Sequence, residues 1–225
     1  MMNNPSRKIE WMVWGGLAVI IAAISGAFVW KKLAAGGLSG SNPMPVLGQL
    51  PDFVLTNQTG QAVSLADLRG QVWVADVIFT RCPGPCAKMT RHYAELQAAL
   101  PLNQPIKLVS LTSDPEYDTP KVLNKYANQY GADSNRWWFL TGDKLQIRRL
   151  AVNDFKFVVV EKKPEERDVP EDLFLHSTWF VLVDRQGRVR GWTDSEGRLH
   201  AYYDSENPDE RAMIPSAIKQ LLREE

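Results

Sequence analysis

The sequence contains few cysteines and no excess of charge of either sign. Its 225 residues include two cysteines, at positions 82 and 86, and a bridge between them would close too short a loop to stabilise a fold. The 26 basic residues equal the 26 acidic ones, so no basic field attracts nucleic acid through its phosphates. These absences exclude a disulfide-stabilised small domain and argue against nucleic-acid binding. They leave a chemical role for the cysteine pair.

One long apolar segment lies near the N-terminus. Residues 11–30 carry no charged side chain, and a helix of twenty residues spans roughly 30 Å, the thickness of the hydrocarbon core of a membrane. A cleaved signal peptide is the alternative, but its apolar region usually has only about 7 to 15 residues. The sequence therefore predicts a tail over residues 1–10 and a transmembrane helix over residues 11–30. Basic residues flank both ends, so charge leaves the orientation open.

The remainder of the chain reads as a tether and one globular domain. Residues 31–48 are rich in glycine, serine and proline, which is typical of a flexible linker. Residues 49–225 alternate predicted strands with predicted helices. The predicted elements are a hairpin around 57–60, strands at 71–80, 106–112, 137–140 and 155–161, helices at 87–100, 120–130, 143–152 and 213–224, and a hairpin of 177–184 with 188–192. This order predicts an α/β sandwich of thioredoxin type with an extra N-terminal hairpin.

The two cysteines lie where a buried strand passes into a helix. Free backbone amides at a helix N-terminus favour thiolates, and Pro83 and Pro85 stiffen the loop. Thioredoxin-like disulfide exchange normally uses C-x-x-C, whereas Cys82 and Cys86 are separated by three residues. That spacing lets both thiolates bind one soft ion such as Cu(I) or zinc, and an added imidazole would also accommodate Cu(II). A redox pair, a peroxidase-like thiol and two structural cysteines remain as alternatives.

Three histidines could complete such a site. His176 directly precedes the predicted strand at 177–184 and follows a charged loop that could fold back over the cysteines. His92 lies on the helix after Cys86 at a spacing that predicts a different, solvated face, and His200 has no partner pattern. His176 is therefore the predicted third ligand.

Other polar or sulfur-containing residues near the motif have ordinary structural interpretations. Met89 falls on the apolar face of its helix and is predicted to be a core residue rather than a thioether ligand. Asp114 and Asp118 are predicted turn and cap residues. None of these three is expected to bind metal or to catalyse a reaction.

Four segments, FTRCPGPCAKMT, LVSLTSDPEYDTPKVLNKYA, WWFLTGD and LHSTWFVLVDRQGRVRGW, resemble the Sco/SenC family of copper proteins in order and spacing. The resemblance covers nearly the whole predicted domain. It implies that Cys82, Cys86 and His176 are copper ligands, for Cu(I) and Cu(II). It also implies a single-pass anchor in the inner membrane, with the domain in the periplasm or an equivalent extracytoplasmic space.

Two functional hypotheses follow. The resemblance implies a metallochaperone, not an enzyme, that delivers copper to the CuA centre of cytochrome c oxidase. Its partner would be subunit II or another copper-receiving membrane oxidase. The alternative is a thiol-disulfide oxidoreductase that reduces cysteines of such a partner, with Cys82 attacking and Cys86 resolving.

Overall fold

The computed structural model describes four parts of the chain, residues 14–16, 21, 25–27 and 43–224. By their internal contacts, the residues divide into two units, Met1–Asn42 and Pro43–Glu225. In the first unit, the described residues are helical and exposed. The second unit contains the strands, the remaining helices and the core.

Most of the predicted membrane segment, residues 11–30, lies outside the described residues. The predicted tail over residues 1–10 and residues 31–42 of the predicted tether also lie outside them. In the described part of the chain, no helix has both the length and the apolar character needed to cross a membrane. The last residues of the predicted tether belong to the sheet instead, since Val46–Gln49 forms a strand that pairs with Arg188–Arg190.

Thirteen strands and five α-helices are present within residues 43–224. The strands are β1 (Val46–Gln49), β2 (Val54–Asn57), β3 (Ala62–Ser64), β4 (Val72–Ile78), β5 (Ile106–Thr112), β6 (Trp137–Thr141), β7 (Val159–Glu161), β8 (Phe174–His176), β9 (Trp179–Val183), β10 (Arg188–Arg190), β11 (Trp192–Thr193), β12 (Leu199–His200) and β13 (Tyr203–Asp204). The helices are α1 (Leu65–Leu68), α2 (Cys86–Ala99), α3 (Pro120–Gln129), α4 (Lys144–Arg148) and α5 (Pro208–Leu221). A π-helical turn at Arg149–Asp154 continues α4, and Pro164–Glu166 is a 3-10 turn.

The main sheet of residues 43–224 has nine strands, with β4 near its centre. The order is β1-β10-β9-β4-β5-β6-β2-β3, and β13 also pairs with β9. β4 runs parallel to β5 and antiparallel to β9, and all seven of its residues are buried. The predicted central strand is therefore confirmed. Both predicted hairpins are present, as β2 with β3 and β9 with β10.

Two apolar layers cover the two faces of the sheet. One layer packs α2, α3 and α5 against the sheet through side chains such as Tyr93, Leu123 and Ile218. The other packs α1 and α4 through Leu65, Leu68 and Ile147. Burial of alternate strand side chains on opposite faces produces this sandwich and confirms the predicted α/β class.

Two predicted elements have different bounds in the structure. The predicted strand at 155–161 shrinks to β7, because Phe155 and Phe157 fill the core from an irregular segment that pairs with no strand of residues 43–224. The last helix begins at Pro208 rather than at 213, because the Asn207 side chain accepts hydrogen bonds from the amides of Asp209 and Glu210. An asparagine cap followed by proline is the start signal that the apolar pattern alone does not show.

β7 and β8 form a two-stranded sheet of their own. Their antiparallel register places Val159 opposite His176 and Val160 opposite Leu175. His176 therefore ends a separate two-stranded sheet rather than starting the main-sheet strand β9. This difference decides how the histidine reaches the cysteines.

Candidate metal centre

The cysteine loop joins the central strand to α2, a helix of 14 residues that packs on the sheet. β4 ends at Ile78, and α2 begins at Cys86, with Pro85 at the N-cap position. Cys82 is partly exposed, whereas Cys86 is buried. The amide of Gly84 donates to Cys82 Sγ at 3.4 Å, and the amide of Phe79 donates to Cys86 Sγ at 3.4 Å. The amides that face the sulfurs therefore belong to the segment between β4 and α2 and not, as the sequence predicted, to the first turn of the helix.

The structure brings the three predicted ligands together. His176 Nε2 lies 3.1 Å from Cys86 Sγ and 3.8 Å from Cys82 Sγ. The three donor atoms all lie within 4.8 Å of one another. Among the described residues, this is the group of three such side chains that could hold a metal ion.

Packing and one hydrogen bond fix the imidazole of His176. The Nδ1 atom lies 3.0 Å from the carbonyl oxygen of Ser177, to which its N–H donates. Phe79 meets the imidazole edge to face at 5.8 Å, and Phe174 packs edge to face on Phe79 at 5.3 Å. Because Nδ1 holds the hydrogen bond to Ser177, Nε2 is the ring nitrogen that faces the sulfurs and is available to a metal ion.

The two thiols differ in their readiness to ionise. A hydrogen bond with Cys86, together with a smaller contribution from His176, lowers the pKa of Cys82 to about 4. Burial raises the pKa of Cys86 well above its usual range, and the neighbouring Cys82 sulfur raises it further. The pair therefore holds one proton near neutral pH, with Cys82 as thiolate and Cys86 as the thiol that donates to it.

The three residues open into a surface cleft of 340 Å³. Its floor is the cysteine loop, and its wall comes from the charged loop between β7 and β8. The lining residues are Cys82, Pro83, Gly84, Pro85, Lys162, Asp168, Val169, Asp172, Phe174, Leu175 and His176. An ion pair between Lys162 and Asp172 at 2.5 Å closes the base of that loop. The prediction that this loop folds back over the cysteines is confirmed.

Asp118 anchors the cysteine loop, a role that the turn-and-cap interpretation missed. Its carboxylate accepts from the Thr80 amide at 3.1 Å, from the Thr112 hydroxyl at 2.5 Å and from the Thr80 hydroxyl. The N-cap of α3 is Thr119 instead, whose hydroxyl accepts from the amide of Val122. One sequence signal could have indicated this role. Thr80 lies two residues before Cys82, at the end of a predicted strand that is buried on both faces, and a hydroxyl there needs a hydrogen-bond acceptor.

Asp114 connects the same loops through Arg81. Its carboxylate pairs with the Arg81 guanidinium at 2.7 Å, and that guanidinium lies over the Tyr117 ring at 4.0 Å. The residue directly before Cys82 is therefore held by an ion pair and a cation–π contact. Both aspartates of the SDPEYDTP segment thus support the cysteine loop.

The remaining candidates lie outside the site. Met89 is fully buried in the core, as predicted. His92 pairs with Glu95 at 3.2 Å and is less exposed than predicted, with 13% of its side chain accessible. His200 stacks on Trp192 and pairs with Asp194 at 3.0 Å. Asp76, the one charged residue of β4, is fully buried.

Comparisons with known proteins place these observations in a family. The SCO1/SenC family model matches residues 47–206. The SCO1 protein homolog of Bacillus subtilis strain 168 is 37% identical over 175 residues, which cover 77% of this chain and 86% of that protein.

Solved structures agree with the fold. BsSco, a member of the Sco family of cytochrome c oxidase assembly proteins, matches with a TM-score of 0.64 at 34% identity, covering 80% of this chain and 97% of that one. Bradyrhizobium japonicum ScoI, solved with copper bound, shares the fold with a TM-score of 0.58 at 20% identity, covering 78% and 99%. The predicted thioredoxin-like α/β fold is confirmed. Because the family model spans most of the chain, including both cysteines and His176, this protein belongs to the SCO1/SenC family.

Proposed function

We propose that this protein is a copper chaperone whose cargo is held by Cys82, Cys86 and His176. The observation that carries the proposal is the convergence of two sulfurs and one imidazole nitrogen within 4.8 Å at an open cleft. Soft thiolates select Cu(I), and an imidazole extends the set to Cu(II). Copper is also present in the solved ScoI of Bradyrhizobium japonicum, but at 20% identity the likeness is one of fold, so the donor set carries the argument.

The donor spacing suits a three-coordinate ion. With metal–sulfur bonds of about 2.3 Å and metal–nitrogen bonds of about 2.0 Å, a trigonal ion separates sulfur from nitrogen by roughly 3.7 Å. The two observed separations are 3.8 Å and 3.1 Å. A shift of about 0.6 Å between the Cys86 sulfur and the His176 nitrogen would therefore accommodate the ion.

The unequal thiols suggest the order in which copper is bound. Cys82 is the more accessible sulfur and is already a thiolate, so it would capture the ion first. Cys86 would then lose its proton as the ion settles between the sulfurs, because metal ligands must be deprotonated. Release would occur at the open side of the cleft, where an incoming thiolate of the acceptor could replace Cys82. The exchange needs no covalent chemistry, so the protein would act as a binding protein rather than an enzyme.

The proposal also includes the protein that accepts the copper and the cellular location of the chain. BsSco belongs to cytochrome c oxidase assembly proteins, which supports delivery to the CuA centre of subunit II or to another copper-receiving membrane oxidase. Residues 11–30 would anchor the chain in the inner membrane as a single span, followed by the tether that ends before β1. The domain would then lie in the periplasm or an equivalent space.

The test is a copper titration of the reduced full-length protein. Alanine at Cys82, Cys86 or His176 should each weaken binding, with His176→Ala reducing the Cu(II) affinity at least tenfold. The matched control is His200→Ala, which removes a histidine far from the sulfurs and should leave the affinity unchanged. Equal affinities for the His176 and His200 variants would contradict the proposed ligand set. X-ray absorption should report two sulfurs and one nitrogen around the ion.

A second candidate function is thiol-disulfide exchange with a partner, and the low pKa of Cys82 favours it. The Cys82 thiolate would attack a partner disulfide and release one partner thiolate, and Cys86 would then attack Cys82 to release the second. The partner disulfide is reduced by two electrons, and the Cys82–Cys86 pair is oxidised. Reduction of a partner peptide that survives His176→Ala but not Cys86→Ala would favour this function.

A further inference from the structure

Asp76 is a buried carboxyl group in the core layer that carries the cysteine helix. Its side chain is fully buried in the middle of β4, and neither carboxyl oxygen has a hydrogen-bond partner among residues 43–224. Side chains alternate along a strand, so Asp76 points to the same face as Val74 and Ile78. Those two residues belong to the core cluster that contains Cys86. An unpaired carboxyl group in an apolar core is unfavourable, so its presence calls for a reason.

Asp76 lies on the strand face that packs into the core layer of Cys86, three residues before Phe79, whose amide donates to the Cys86 sulfur and whose ring contacts His176. Ser110 lies opposite it on β5, and the Ser110 hydroxyl already accepts from the Trp137 indole at 3.0 Å. The Tyr93 hydroxyl, in the same layer, is likewise buried and has no hydrogen-bond partner in the described part of the chain. Burial raises the pKa of Asp76 to about 7, partly offset by Ser110 and by the electrostatic effect of His176. Asp76 and the site are therefore electrostatically linked through the core.

We propose that Asp76 is a positioning residue that favours Cu(II) over Cu(I) at the site formed by Cys82, Cys86 and His176. This inference rests on the proposed copper function. Two thiolates and a neutral imidazole give the Cu(I) site a net charge of −1 and the Cu(II) site a net charge of zero. A fixed negative charge in a low-dielectric core raises the free energy of the anionic Cu(I) site relative to the neutral Cu(II) site.

The test compares the copper preference of the full-length protein with that of Asp76→Asn, which keeps the shape and removes the charge. Cu(I) and Cu(II) affinities are each measured by competition with a chelator at pH 8.5, where the Asp76 carboxyl is ionised. Asp76→Asn should shift the affinity ratio about tenfold toward Cu(I), equivalent to a rise of about 59 mV in the one-electron potential. Asp76→Ala provides a second variant without the charge, in case the asparagine variant fails to fold.

Val74→Ala is the matched control, because it alters the packing on the same face of β4 and leaves the Asp76 carboxyl group and its polar neighbours in place. A ratio within twofold of wild type in the folded Asp76 variants would overturn the inference. An equal shift in Val74→Ala would also overturn it, because packing rather than charge would then be responsible. If the wild-type protein binds neither Cu(I) nor Cu(II), the proposed copper function itself fails, and the two failures remain distinguishable.

Discussion

Replacing Asp76 by asparagine should make the stability of this protein less dependent on pH. In the folded protein, burial raises the pKa of Asp76 from 3.8 to about 7. Between those two values the folded state binds a proton that the unfolded chain has released. The free energy of unfolding of the wild type therefore falls as pH rises from about 4 to 7 and levels off above that range.

The size of the effect follows from the two pKa values. Ionising the buried group costs about 1.4 kcal/mol per pKa unit, so the full difference amounts to roughly 4 kcal/mol. From pH 5 to pH 8, ionisation of Asp76 should lower the free energy of unfolding of the wild type by roughly 2.5 kcal/mol. The asparagine side chain of Asp76→Asn cannot ionise. The free energy of unfolding of this variant, relative to that of the wild type, should therefore rise by roughly 2.5 kcal/mol from pH 5 to pH 8.

The assay is urea unfolding of the reduced, metal-free full-length protein in mild detergent, followed by circular dichroism at pH 5 and pH 8. The informative quantity is the difference between wild type and Asp76→Asn at pH 8, minus the same difference at pH 5. Groups whose pKa does not change with the substitution cancel in this subtraction. A double difference near zero would refute the argument that Asp76 is an isolated buried acid.

Three further predictions concern the cysteine pair and two buried carboxylate networks. Iodoacetamide should alkylate Cys82 with a pH midpoint near 4, while Cys86 should react only after unfolding; peptide mass mapping separates the two. Arg190→Ala should lower the free energy of unfolding by about 3 to 5 kcal/mol, because two carboxylates lose a buried partner. As a control, Arg198→Ala, at an exposed position, should change it by less than about 0.5 kcal/mol. Asp118→Ala should cost about 2 to 4 kcal/mol in thermal or urea unfolding, because a buried amide and two hydroxyls lose their acceptor.

The sheet could be predicted from the sequence because its signals are local. The β-branched run that becomes β4 and the turn residues of both hairpins each specify their own element. The segment from Arg149 to Glu161 could not be predicted in this way. Phe155 and Phe157 alternate as strand residues do, yet they fill the core without strand pairing. Tertiary burial can use an alternating pattern without a strand, and sequence periodicity does not separate the two cases.

The three candidate metal ligands could be predicted from the sequence, but the buried aspartates around them could not. Two thiols at a helix N-terminus and a histidine before a strand suggest donors by their residue types. Asp118 and Asp76 gave no such signal. Asp118 lies 38 residues from Thr80, and its role arises only where β5 and the cysteine loop meet in space. Asp76 is the one charged residue of β4, and only its burial without a hydrogen-bond partner among residues 43–224 distinguishes it.

The three donors are held by two different elements, and this division bears on how a cargo could leave. The cysteines are fixed to the main sheet, since Asp118 binds the loop that carries them. His176 ends β8, which within residues 43–224 pairs only with β7 and lies outside the main sheet. Its position against the sulfurs depends on the contacts of Phe79 and Phe174. Opening a small two-stranded sheet requires less free energy than opening a nine-stranded one. Under the proposed function, the imidazole is therefore the ligand that can withdraw while both sulfurs stay in place, leaving a two-sulfur site from which an acceptor thiolate can take Cu(I).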